Sequence, residues 1–146
     1  TLFRPELDQW SPGEHNGTFR GNNHAFVTAT AALRHFWSDT AFQDDIARRG
    51  QLLEQRLGAM AKEHGFETRG RGMMRGINVG SGEIADAVTA ACFAQGLIIE
   101  TSGAHGEVIK VLAPLVIDDA LLAEGLDILE ARLREAMVQD LAVAAE

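Results

Sequence analysis

Two long stripes of apolar residues at helical spacing constrain the fold of this chain most strongly. The first stripe lies in a segment that ends at about His64, and the second follows Asp118. Residues three or four positions apart share one face of a helix, so each segment predicts a helix with one buried side. The stripes consist of Phe42, Ile46, Leu53, Leu57 and Met60, and of Leu122, Leu126, Leu129, Leu133 and Met137.

The segment between these two helices predicts a small sheet and one further helix. An apolar pattern at 73–79 follows a glycine-rich loop and indicates a strand, and "LIIET" (97–101) and "EVIKVLAPL" (107–115) indicate two more. Between them, a helix from Ser81 to Gly96 turns Val88 and Cys92 inward. The order strand, helix, strand, strand, helix predicts an α+β unit whose sheet is covered by helices on one side.

The N-terminal part is predicted to contain a short turn, a polar loop and one apolar helix. Leu2 and Phe3 read as the end of a strand, and Pro5 starts a short helical turn at 4–7. A polar, glycine-containing loop then leads to a helix at 24–37 that Asn22 or Asn23 can cap. That helix is apolar on nearly all sides, which is typical of a helix buried between layers or between subunits.

Composition narrows the class of protein. The chain has 146 residues, and 46% of them are hydrophobic, which indicates a globular protein. Its net charge of −8 repels the phosphate backbone of nucleic acid. Its single cysteine, Cys92, rules out an internal disulfide and suits a reducing compartment. The sequence shows neither a signal peptide nor an apolar run long enough for a membrane span. We therefore expect a cytoplasmic protein that binds neither nucleic acid nor a membrane.

The loop "PGEHNGTFRGNNHAF" (12–26) is the first candidate for a binding site. Thr18 offers a hydroxyl, and Gly17 and Gly21 leave backbone N–H groups unshielded just before a helix N-terminus, a combination that favours an anion such as a phosphate. The alternative is a loop that only caps the helix. On the residues alone the capping interpretation is favoured, because neither a P-loop nor a dinucleotide-binding spacing is present.

Other candidate motifs point to structure more than to chemistry. "GRGMMRG" (70–76) precedes a strand and lacks the spacing of a nucleotide-binding loop, so it predicts a tight turn. The histidines show no paired metal-ligand spacing, so we predict no metal site, and Cys92 on an inward stripe predicts a core residue. Lys110 lies inside an apolar strand, and two interpretations fit it equally well. It is either a lysine on the solvated side of the strand or a cation that holds a carboxylate in a cleft.

Several segments together resemble the class III aminotransferases, the pyridoxal-phosphate enzymes of fold type I. "GEHNGTFRGNNHAF" is similar to the loop that holds the cofactor phosphate across the dimer in that family, and "GRGMMRGINV", "GLIIETSG" and "VIKVLAPLVIDDALLAEGLDIL" follow in the family's order. The segments "WSPGEHNGTFRGNN", "RGRGMMRGINVGSGEIAD" and "GLIIETSGAHGEVIK" are more narrowly similar to the family's diaminobutyrate branch, which serves ectoine synthesis. The resemblance covers essentially the whole chain.

The resemblance implies a fold, a cofactor and a set of site residues. Residues 1–37 would end the large cofactor-binding domain, with a phosphate loop at 12–23, and residues 38–146 would form the C-terminal small domain. Thr18, assisted by the backbone of Gly17 and Phe19, would bind the phosphate of pyridoxal 5'-phosphate in the neighbouring subunit of a homodimer or a dimer-based higher oligomer. The reaction would move an amino group from glutamate to aspartate 4-semialdehyde and give 2,4-diaminobutyrate.

The resemblance also implies that the Schiff-base lysine lies upstream of this chain. Neither Lys62, on a helix face, nor Lys110, in the last strand, matches its position, so the chain is expected to be the C-terminal third of the enzyme and to lack catalysis alone. The resemblance implies that Lys110 stands where many relatives carry an arginine that binds the α-carboxylate of 2-oxoglutarate or glutamate. Because an ammonium is a point charge and not a fork, the anchor would be Lys110 with looser geometry, or another arginine such as Arg75.

One more residue departs from the family's loop motif, and two alternative functions also fit the sequence. Asn23 replaces the last proline of the loop motif, and it still suits a helix start. Another class III enzyme, of the ornithine or 4-aminobutyrate type, would share the chemistry and differ in substrate. A non-catalytic α+β module that binds a small molecule is the alternative from another class, although an isolated module would expose much of the apolar helix at 24–37.

Overall fold

The protein, seen here in a computed structural model, is described for residues 4–14 and 16–143, with the side chains of the last helix described up to residue 139. The chain divides into two compact units, one up to Thr40 and one from Ala41 onward. Each unit has its own elements. The predicted strand end at Leu2 and Phe3, and His15 of the loop, lie outside the described residues.

The first unit consists of a 3₁₀ turn, Pro5–Leu7, and helix α1, Asn23–Phe36. The Asn22 side chain caps α1 by accepting a hydrogen bond from the N–H of Ala25 at 3.1 Å. None of the α1 residues is buried, and Val27 and Leu33 are more than 60% exposed. The helix predicted at 24–37 is confirmed, and its burial against a further surface stays a prediction.

The second unit contains three helices and a four-stranded sheet. Ser81 caps α3 by accepting from the N–H of Ile84, and Asp118 caps α4 by accepting from the N–H of Ala120. In chain order the elements are α2 (Ala41–His64), β1 (Glu67–Arg71), β2 (Met74–Asn78), α3 (Gly82–Ala94), β3 (Glu100–Ser102), β4 (Val108–Leu112) and α4 (Asp119–Val143).

The sheet has the strand order β1-β2-β4-β3, and every neighbouring pair is antiparallel. At its centre Ile77 on β2 lies opposite Ile109 on β4, and both side chains have no exposed surface. Successive side chains of a strand point to opposite faces, so this pair identifies the face that the helices cover. Met74 and Leu112 belong to the other face, and both are more than half exposed.

The core lies between the covered face and the helices. α2 packs against β1 and β2, α3 packs against β3 and β4, and α4 packs against α2 and α3. The two predicted apolar stripes supply seven of the fifteen core side chains, and Cys92 is fully buried beside them. The core cluster comprises Leu53, Leu57, Met60, Ala61, Met73, Ile77, Val79, Ala85, Val88, Cys92, Ile109, Leu122, Leu126, Leu129 and Leu133.

Ion pairs hold α4 to α2 along the exposed edge of this core. The pairs are Arg49–Asp119 (2.8 Å), Arg56–Asp127 (2.6 Å) and Arg134–Glu63 (2.9 Å). The partners are 70 or 71 residues apart in every case, so the two helices run in the same direction with a constant offset. Pairs with at least one exposed partner each contribute little to stability, but a set with a constant offset favours one register of α4 on α2.

Two details of the predicted strands are wrong. The glycine-rich segment that the sequence predicts as a loop before residue 73 contains β1, an edge strand whose five residues are all exposed and therefore show no alternating pattern. Of "LIIET", only the last two residues belong to a strand, β3. The apolar residues at 97–99 precede it, and they line a groove beside α4 instead of pairing in the sheet.

Gly76 on β2 provides a sharp test of this register. A Cβ at this position would lie 2.6 Å from the carbonyl oxygen of Ile109 and 2.7 Å from Cγ1 of Val108. We therefore expect Gly76→Ala to lower the free energy of unfolding by about 1–3 kcal/mol, the usual cost of overpacking. Gly58→Ala is the matched control, because a Cβ on this α2 glycine meets open space and should stabilise the helix by up to about 1 kcal/mol. Denaturant unfolding of both variants checks this, and equal effects would contradict the register.

Candidate functional site

In the part of the chain that the structure describes, the loop before α1 presents several hydrogen-bond donors that make no hydrogen bond. Within the described residues, the Thr18 hydroxyl and the N–H groups of Thr18 and Phe19 make no hydrogen bond. A turn closed by the N–H of Arg20 on the carbonyl oxygen of Gly17, at 3.2 Å, holds them at the tip. Thr18 and Phe19 are exposed, Phe19 by 84%. The tip therefore offers neutral O–H and N–H donors to an external acceptor.

Lys110 lies on the open face of the sheet, because it pairs with Gly76 and follows the buried Ile109. Directly opposite it on the edge strand β3 is Glu100. The Lys110 Nζ and a Glu100 carboxylate oxygen are 2.7 Å apart, and this ion pair lowers the pKa of the Glu100 carboxyl below its usual value. The Lys110 side chain is 27% exposed and that of Glu100 is 71% exposed. Sequence reasoning missed Glu100, because only the strand register reveals the pairing.

The Lys110–Glu100 pair borders an apolar groove between β3, β4 and the first turns of α4. The groove has a volume of about 340 Å³, and all its other lining residues are apolar or glycine. They are Leu97, Ile98, Ile99, Val111, Leu112, Ala113, Pro114, Ile117, Leu121, Leu122, Gly125, Leu126 and Leu129. One cation and one anion thus border a cleft whose other lining residues offer only apolar contacts.

Arg75, the alternative carboxylate anchor, lies on the opposite face of the sheet from Lys110. It pairs with Val111 in the β2–β4 register, one position away from Gly76 and Lys110. Its Nη2 is 3.0 Å from a carboxylate oxygen of Glu54 on α2, and its Nε donates to the carbonyl oxygen of Gly72 at 3.2 Å. These contacts tie the turn between β1 and β2 to α2. The structure therefore does not bring Arg75 and Lys110 together, and Lys110 is the better placed of the two.

Cys92 is a fully buried core residue. Burial raises the pKa of the Cys92 thiol, which suits a core residue. Within residues 4–14 and 16–143, no group of three or more histidine, cysteine, aspartate or glutamate side chains is arranged to hold a metal ion. None of the helices in the described part of the chain is both long and apolar enough to span a bilayer.

Comparison with known families identifies the class of this chain. The family model "Aminotransferase class-III" matches residues 4–133, which is most of the sequence. The chain belongs to the class III aminotransferases. Members of this class use pyridoxal 5'-phosphate, and its fold is the fold type I architecture, of which this chain contains an α/β part.

Two curated relatives are similar to this chain over 92% of its length. The diaminobutyrate–2-oxoglutarate transaminase of Halomonas elongata is 56% identical over 140 residues, which cover 92% of this chain and 33% of the relative. The enzyme of the same name from Vibrio cholerae is 52% identical over 137 residues, with the same two coverages. The chain thus spans about a third of the length of the curated relatives that it matches.

Solved structures agree with this class. A transaminase from directed evolution by ancestral reconstruction superposes with a TM-score of 0.73 at 25% identity, over 88% of this chain and 30% of that one. A Bacillus anthracis aminotransferase gives a TM-score of 0.71 at 25% identity, over 84% and 30%. These matches confirm the fold class predicted from the sequence.

The loop tip fits the phosphate of this cofactor. Anionic phosphate oxygens accept hydrogen bonds from hydroxyl and backbone N–H donors, and a helix N-terminus close by favours negative charge. Thr18 and Phe19 supply such donors without partners in the described chain, and α1 starts at Asn23. The predicted roles of Thr18, Gly17 and Phe19 are therefore compatible with the geometry, and they stay predictions.

The two roles considered for Arg75 can be separated by mutation. Because Arg75 ties the β1–β2 turn to α2, we expect Arg75→Gln to lower the free energy of unfolding by about 1 kcal/mol. Arg71→Gln is the control: this arginine is exposed and makes no ion pair within the described residues, so its effect should stay within about 0.5 kcal/mol. Urea denaturation measures both. Unchanged stability of Arg75→Gln, combined with weaker binding of carboxylate substrates, would return Arg75 to the role of anchor.

Proposed function

We propose that the whole protein is a pyridoxal-phosphate-dependent aminotransferase that acts between L-glutamate and L-aspartate 4-semialdehyde and gives L-2,4-diaminobutyrate and 2-oxoglutarate. The observation that carries this proposal is the 56% identity, across 92% of the chain, to a diaminobutyrate–2-oxoglutarate transaminase. Four further relatives at 46–52% identity have the same name. The enzyme would serve ectoine synthesis, in the cytoplasm.

In this proposal the loop tip holds the phosphate end of the cofactor. The Thr18 hydroxyl donates to a phosphate oxygen, and the N–H groups beside it, with the small Gly17, allow close approach of the backbone. The phosphate belongs to the cofactor of the neighbouring subunit, so the active unit is a homodimer. The exposed apolar side chains of α1 support this assembly, because a surface with Val27 and Leu33 more than 60% exposed favours burial against another part of the protein.

The bound cofactor supplies an electron sink for the amino-group transfer, and the lysine that bonds it covalently would come from outside this chain. The residues of this chain bind and orient. Residues 1–37 would complete the cofactor-binding domain, and residues 38–146 would be the small domain. Lys110 would hold a carboxylate of the substrate, since its ammonium stands on the open face of the sheet beside an apolar groove.

The phosphate contact has a direct test in the full-length enzyme. Thr18→Ala removes a hydroxyl that donates to a charged acceptor, so the dissociation constant of pyridoxal phosphate should rise by about 10- to 100-fold. Thr18→Ser keeps the hydroxyl and should restore most of the affinity. Cofactor retention during dialysis and titration of the apoenzyme measure the change.

Thr28→Ala is the matched control, because the Thr28 hydroxyl already donates to the carbonyl oxygen of His24 within α1, at 2.9 Å. It should leave cofactor affinity within about twofold of the wild type. If Thr18→Ala retains the cofactor as firmly as Thr28→Ala does, Thr18 does not contact the phosphate.

A further inference from the structure

The charges of Lys110 and Glu100 form a matched pair on one row of the open sheet face. The two residues are directly opposite in the β3–β4 register, and their charged atoms are 2.7 Å apart. Both line the apolar groove, and among its lining residues they are the only charged ones. A ligand that meets this end of the groove therefore meets a cation and an anion side by side.

Such a pair is complementary to the head group of an α-amino acid. That group carries a carboxylate and an ammonium on the same carbon, so the carboxylate can pair with Lys110 while the ammonium pairs with Glu100. Each protein charge exchanges one opposite partner for another, and the net charge of the site stays zero. An ion pair with one exposed partner contributes little to stability, so its separation to admit the ligand costs little.

We propose that Glu100 is a specificity-determining residue, and that it recognises the α-ammonium of a substrate whose other end reacts. This inference rests on the proposed function, because in 2,4-diaminobutyrate the transferred amine lies on the γ-carbon and the α-amino acid head remains intact. Lys110 then takes the α-carboxylate and Glu100 takes the α-ammonium. A lysine alone would hold a carboxylate equally well with or without the ammonium beside it.

Two donors that differ in that single group provide the test. 4-Aminobutyrate has the same carboxylate and the same reacting amine as 2,4-diaminobutyrate, but it lacks the α-ammonium. In the full-length holoenzyme, with 2-oxoglutarate as acceptor, Glu100→Gln should lower kcat/KM for diaminobutyrate by about tenfold or more. It should leave kcat/KM for 4-aminobutyrate within about threefold, and the loss should appear mainly in KM.

Control variants separate recognition from a structural effect. Glu124→Gln removes an exposed glutamate of α4 that makes no ion pair within the described residues, and the ratio of the two kcat/KM values should not change. Lys110→Gln removes the carboxylate partner, so both donors should lose activity together. A structural role of Glu100 in the β3–β4 pair would likewise lower both donors equally and leave the ratio intact.

The outcomes distinguish this inference from the proposed function. A wild-type enzyme that transfers an amino group from diaminobutyrate, with a ratio that Glu100→Gln leaves unchanged, overturns the role of Glu100 and leaves the proposed function standing. A wild-type holoenzyme that uses neither diaminobutyrate nor glutamate overturns the proposed function, and the inference with it. A selective loss on diaminobutyrate supports both.

Discussion

The pairing of Ile77 with Ile109 at the centre of the sheet determines which face of the sheet each polar residue of β2 and β4 occupies. Both side chains are fully buried under the helices, and they are direct partners in the β2–β4 register. Because side chains alternate along a strand, this one pair assigns a face to all their neighbours. A slip of one residue would bury Lys110 and expose the isoleucines, so the hydrophobic core itself fixes the position of the charge.

The same register places the two candidate carboxylate anchors, Arg75 and Lys110, on opposite faces of the sheet, a difference that the sequence does not reveal. Arg75 falls on the covered face and is used in a contact with Glu54 and the carbonyl oxygen of Gly72. Lys110 falls on the open face, with Glu100 as its neighbour and an apolar groove beside it. A residue that already completes the packing of a turn is poorly suited to bind and release a substrate. A cation on an open face beside a groove is well suited to do so.

The helices could be predicted from the sequence because each carries its own signal. Leu53 and Leu57 in α2 and Leu126 and Leu133 in α4 repeat at helical spacing and are buried as expected. β1 could not be predicted, since an edge strand whose residues are all exposed has no alternating pattern, and its Gly70 has φ +113°. The apolar run at 97–99 indicated a strand, but its residues line the groove beside α4.

In the candidate site, too, residues within one local motif could be predicted from the sequence, whereas a pairing between strands could not. Thr18 could be chosen from the loop motif, because a hydroxyl, two glycines and a helix start lie within a few residues of one another. Lys110 could be noticed as a charge in an apolar strand, but its face and its partner depend on a pairing with β3. No pattern within β3 or β4 alone specifies that Glu100 stands opposite Lys110, so this part of the site required the structure.

A crystal structure of the full-length holoenzyme with a bound amino-acid substrate or unreactive analogue would show whether the open face of this sheet is the face that meets the substrate. We expect the ligand carboxylate to lie within hydrogen-bonding distance of the Lys110 ammonium, on the side of the sheet away from α2. A ligand carboxylate held elsewhere, with Lys110 still bound only to Glu100, would contradict it.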